Sequence, residues 1–141
     1  MAETQVVSSE PLPPIGKWLP VVALAWLIPG GGHFLLRRMG RGALLFGAVG
    51  ITFLLGLLMR GAMFSPPEKA SDILTMVIYY GGTLGDLASG IFYLLAVGLN
   101  YNQADVAGHV HDYGTKFLVA AGLLNVLAMV DAFEIATGRK E

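Results

Sequence analysis

The chain has 141 residues, of which 55% are hydrophobic and 13% charged, and its mean hydropathy is +0.64. An average soluble domain is about one quarter charged, so this composition excludes an ordinary soluble fold. A net charge of −1 gives no pull towards nucleic acid, and the absence of cysteine excludes disulfides, thiolate chemistry, iron–sulfur clusters and zinc–thiolate sites.

Residues 1–17, MAETQVVSSEPLPPIGK, lack a basic start followed by a short apolar core, so they do not form a standard signal peptide. Their Ser, Glu and Pro content predicts a flexible tail, polyproline-like at PLPP. Insertion then uses the first helix as an uncleaved anchor.

Four apolar segments follow, at about 18–36, 42–59, 73–99 and 117–136, with a tail at 137–141. They predict an all-α polytopic membrane protein with about four transmembrane helices. In the first segment Pro20 suits the opening turn of a helix, where a missing N–H costs nothing. Lys17 and Trp18 suit the interface. PGGGHF, Pro29 to Phe34, breaks this helix before the basic turn RRMGRG. The second segment has no ionisable residue from Gly42 to Met59, about 27 Å of helix against a hydrocarbon core of about 30 Å. SPPEK marks the loop after it. The third segment is longer than a vertical span requires, which predicts tilt. NYNQADVAGHVHDYGTK reads as a polar loop, and TGRKE closes the fourth segment with glycine and basic residues.

Four spans would place both termini on one side. Arg37, Arg38, Arg41 and Lys116 then face Lys17, Arg60, Lys69, Arg139 and Lys140 across the membrane, a split that leaves the orientation open. No internal repeat supports an inverted-repeat transporter.

Nineteen glycines are many for this length, and in lipid small residues draw helices together. Gly81, Gly85 and Ser89 fall four apart, with Gly82, Asp86 and Gly90 as the neighbouring row. Ala43 and Gly47 form a similar pair. These rows predict close helix packing, or a groove for a lipid tail or a tetrapyrrole.

Asp86, Asn125 and Asp131 lie within apolar segments. A carboxylate at depth is costly unless neutral or paired, so Asp86 is expected to be protonated or hydrogen-bonded to Asn125 or His33. Such a network is interhelical glue or, alternatively, an ion path. His33, His109 and His111 are the candidate tetrapyrrole ligands. GHVHD with Asp105 nearby is too incomplete a donor set for a metal site. No nucleophile–base set and no phosphate-cradling loop is visible, which reads as a non-enzyme.

LAWLIPGGGHFLLRRMGRGALLFG resembles the two-transmembrane-helix domain family, matching at Gly30, Gly32, His33, Phe34, Arg38 and Gly42. It departs from that pattern at Leu35, where an aromatic is common, at Arg37, where a glycine is common, and in lacking the turn's acidic element. The likeness covers roughly residues 21–59. DYGTKFLVAAGLLNVLAMVDAFEIATGRK is similar to the ending of an uncharacterised family of small bacterial membrane proteins, most familiar from acidobacteria. That family also begins with a PGGGHF-like element, so Gly30, His33, Gly114, Asn125, Asp131 and Gly138 are its matching residues. The resemblance implies a bacterial inner-membrane protein and no activity.

Three functions compete. The first is a structural or accessory subunit of a larger assembly, such as a respiratory or photosynthetic core, in contact with lipid and other subunits. The second is a haem- or chlorophyll-binding subunit, and the third a small transporter or channel using Asp86 and Asn125.

Overall fold

The computed structural model describes residues 11–69, 72–103 and 107–141. Two of its helices are long and apolar enough to cross a membrane. One is α3, Met39–Leu58, about 30 Å long, and the other is α6, His109–Ala136, about 42 Å long. They run antiparallel. Arg41 at the start of α3 faces Asp131 near the end of α6. At their other ends, a Cβ on Gly56 or Gly61 would strike Leu118 and the Gly114 backbone. We call the end with Arg41 and Asp131 the near face, and the opposite end the far face.

The remaining helices are shorter: α1, Ile15–Leu27; α2, Gly31–Leu35; α4, Ile73–Ala88; and α5, Ile91–Gly98. All described regular structure is helical. A buried apolar cluster of Val49, Phe53, Ala96, Leu118 and Ala121 joins α3, α5 and α6. A second, of Val21, Ala25 and Ala132, joins α1 to α6. The Phe92 ring lies between Phe46 and Phe53, at centroid distances of 5.4 and 5.7 Å.

The path of the chain departs from four simple spans. Helix α1 starts at the near face, where Trp18 meets Phe133 edge-on at 5.2 Å. It ends at Trp26 and Leu27, beside Asn125 in the middle of α6. With 13 residues it is about 20 Å long, too short to cross. The chain then turns back through Gly30, at φ 76°, and by His33 it is again level with Asp131. The first apolar segment therefore folds back on itself, with both of its ends at the near face.

The third segment does the same from the far face. Helix α4 descends past Val119 to the level of Asn125. There the chain bends by 101° and α5 climbs away along α3. Tyr101, just beyond α5, donates to the Gly61 carbonyl at the far end of α3 at 2.7 Å. Expected as one tilted span over 73–99, this segment is broken at Ser89–Gly90. Gly90 takes φ 65°, a conformation that suits a residue without Cβ. A third span exists only if this bent pair counts as one.

Several expected boundaries also move. Helix α1 already includes Ile15 to Lys17, so Pro20 lies in its second turn rather than its first. Helix α6 starts at His109, eight residues before the expected 117, because HVHDYGTK contains no proline and Asp112 suits a first turn. Of the expected tail over 1–17, residues 1–10 lie outside the described residues, as does Asp105.

Candidate functional site

Where the two hairpin tips meet, the backbone has lost its helical partners. Helix C-termini leave carbonyls without an internal donor, and in lipid no water can serve them. The fully buried Asn125 serves two of them. Its amide nitrogen donates to the Trp26 carbonyl of α1 at 3.1 Å and to the Ala88 carbonyl of α4 at 2.8 Å. The Trp26 indole N–H donates in turn to the Leu87 carbonyl at 3.1 Å. Ser89 is buried and closes on the Asp86 carbonyl at 2.6 Å. One asparagine on a crossing helix thus joins the ends of two half-helices that arrive from opposite faces.

Such a joint requires close backbones. A Cβ on Gly122 of α6 would overlap the Gly85 carbonyl oxygen of α4, and one on Gly90 would overlap the Trp26 carbonyl. The expected glycine rows are realised on one side only. Gly82 and Gly85 are covered by the Phe64 ring and Val119, whereas Gly81 faces open space. Adjacent helix positions differ by about 100°, so Gly81 falls outside the packed face. Ala43 and Gly47 also do not pack within this chain. Ala43 is exposed, and nothing lies within 4 Å of where a Gly47 side chain would begin.

Asp86 is fully buried, but it pairs with neither Asn125 nor His33. One carboxylate oxygen accepts the Phe64 backbone N–H at 2.7 Å. This replaces the expected pairing for a clear reason. Residues 61–65 run as non-helical backbone between α3, α4 and α6, and their N–H groups need acceptors. Thr115 supplies one for Ala62 at 3.0 Å, and Asp86 supplies one for Phe64. Burial pushes the nearby Tyr101 phenol above its usual range, with Arg60 acting in the opposite direction.

His33 instead pairs with Asp131, Nε2 to Oδ2, at 2.8 Å, and its ring is fully buried. Asp131 also receives Lys140 on its other oxygen and Arg41 at 3.6 Å. The expected mid-membrane network of Asp86, Asn125 and Asp131 is therefore two separate centres. One is the tip junction with Asp86 and Asn125. The other is a charged cluster at the near face.

As a tetrapyrrole ligand, His33 has only its buried Nδ1 without a partner. Asp131 occupies Nε2, and the ring is enclosed. His109 and His111 lie in the first turn of α6, where successive side chains diverge, rather than in an extended loop. No group of three or more His, Cys, Asp or Glu side chains suited to a metal ion occurs among the described residues. A cleft of about 810 Å³ opens at the far face, with Phe64, Tyr79 and Leu123 in its wall beside Asp112 and Lys116. It depends on residues 61–65 folding inward, which no motif announces.

A family model covers residues 20–141. The chain belongs to DUF6677, a family of unknown function. No curated protein and no solved structure matches it. The DUF6677 match takes in both hairpin turns, Asn125 and the near-face cluster, so the features described above lie within the family region. It supplies no chemistry of its own.

Proposed function

We propose that this chain is a small, non-enzymatic accessory subunit of a larger assembly in the bacterial inner membrane. It is anchored by α3 and α6 and carries two re-entrant hairpins. The observation that carries this reading is the bare small-residue face of α3. Ala43 is exposed, and the space above Gly47 is open. Gly47 also borders an apolar groove of about 550 Å³ lined by Phe46, Gly50, Phe53, Phe92 and Leu95. Glycine inside a helix costs about 1 kcal/mol relative to alanine, and in a membrane it is useful where a second helix approaches closely. Meanwhile the polar groups at depth are engaged in holding backbone, as in Asn125, Asp86 and Thr115.

Purification from native membranes in a mild detergent tests this. The parent chain is expected to elute with other membrane subunits, and Gly47→Leu to elute alone yet folded. A parent chain that elutes alone overturns the reading.

Re-entry also bears on orientation. Lys17, Arg37, Arg38, Arg41, Arg139 and Lys140 all fall at the near face, and Arg60, Lys69 and Lys116 at the far face. Six basic residues against three favour a cytoplasmic near face.

A second reading, a small ion or proton path, is favoured by three buried polar atoms without a partner: Asp86 Oδ1, Asn125 Oδ1 and His33 Nδ1. Non-helical backbone at membrane depth is tolerated where it lines a cavity or is buried in protein. Flux into liposomes that is lost in Asp86→Asn supports this reading. No flux from the parent chain ends it.

A further inference from the structure

Between α3 and α6, on a side where Leu44 and Leu127 are exposed, runs a groove of about 410 Å³. Ala48 and Ala128 form part of its lining, with Leu44, Leu124 and Leu127 around them. It reaches from Arg41 to Val49, about 12 Å along α3. Its deep end is apolar, and its near end holds Arg41 and Asp131.

The charges at that near end are organised. Asp131 holds Arg41, Lys140 and the buried His33 around one carboxylate. Arg41 remains 42% exposed and Lys140 44% exposed, so both keep donors free for another acceptor. Among the described residues, the near face carries six basic side chains against the acids Asp131, Glu134 and Glu141, whereas the far face sets Arg60, Lys69 and Lys116 against Glu68, Asp72 and Asp112. Helix α3 also begins here with no side-chain cap on its free N–H groups, which adds to the attraction for an anion.

We propose that this groove binds an anionic phospholipid. One acyl chain lies along Ala48 and Ala128, and the phosphate sits on Arg41 at the start of α3. The apolar length selects a lipid over a free anion, and the basic excess selects an anionic headgroup over a zwitterionic one. The inference is independent of the accessory-subunit reading, because it concerns a different face of α3.

The test is thermal unfolding of the purified chain in detergent micelles titrated with phosphatidylglycerol, with phosphatidylcholine or with inorganic phosphate. Phosphatidylglycerol is expected to raise Tm saturably, with at least a tenfold lower midpoint concentration than phosphatidylcholine, and inorganic phosphate to leave Tm unchanged. Ala48→Phe fills the groove without touching a charge and is expected to abolish the shift. Arg41→Gln is expected to remove the preference for the anionic lipid, and Arg60→Gln at the far face to keep it. Should Arg41→Gln fail to fold, Ala48→Phe decides alone. Equal shifts from both lipids, a shift reproduced by inorganic phosphate, or an undiminished shift in Ala48→Phe overturns the proposal.

Discussion

Arg37 sits at φ 60°, and Arg60 and Asn100 at φ 56° each. Each follows the C-cap of a helix, and the next amide returns to close the last turn: Arg38 N–H to the His33 carbonyl, Gly61 to Gly56, and Tyr101 to Ala96. Gly138 does the same after α6, with Arg139 N–H on the Glu134 carbonyl. Left-handed backbone costs a residue with a Cβ about 1–2 kcal/mol. Arg37→Gly is therefore expected to raise stability by up to about 1 kcal/mol, read as a higher Tm in detergent micelles. Asn125 is the opposite case. Asn125→Leu keeps the volume roughly but leaves the Trp26 and Ala88 carbonyls without a donor. An orphaned buried acceptor costs about 1–3 kcal/mol, so this change is expected to lower Tm clearly in the same assay.

At the level of elements, the decisive contact is the crossing of α4 and α6. Gly122→Ala is expected to cost about 1–3 kcal/mol, because its methyl group must displace the Gly85 carbonyl. Gly81→Ala, facing open space on the same α4, is expected to be neutral within about 0.5 kcal/mol. Thermal unfolding of the two variants side by side checks the pair; equal losses would contradict the crossing. Asp86, Asn125 and Asp131 were legible in the sequence as groups needing a partner, because polar side chains in apolar runs are costly. Their partners were not. Asn125 reaches a carbonyl 99 residues away and His33 an acid 98 residues away, and local spacing carries no trace of either. The bend at Gly90 was illegible for another reason. ASGIFYLL has neither proline nor charge beside the glycine, and a packing glycine and a turning glycine look alike until the backbone is seen.

For the molecule as a whole, the arrangement of termini and loops separates two hairpins from four spans. The chain contains no cysteine, so single cysteines can be placed without background. Cysteines at Lys17, Arg38 and Arg139 are all expected to react with an impermeant maleimide from one side of the membrane, and cysteines at Ser65 and Asn102 from the other. Four spans would split Lys17 from Arg38, and Ser65 from Asn102. The membrane class and the all-helical fold followed from composition, since so few charges leave long apolar runs no other stable form in lipid. The number of crossings did not follow, because an apolar run that turns back at half depth has the same composition as one that continues.

The junction also sets an order of events in biosynthesis. Trp26 and Ala88 emerge from the ribosome before the asparagine that holds them. At about 5–20 residues per second, the tip of the first hairpin waits about 5–20 s for Asn125 to be made. During that interval its carbonyls must stay hydrated at the membrane surface or be sheltered by the insertion machinery. Entry of the hairpin into the bilayer is thus a late step, coupled to the arrival of α6, and a nascent chain arrested before His109 should leave Trp26 open to water.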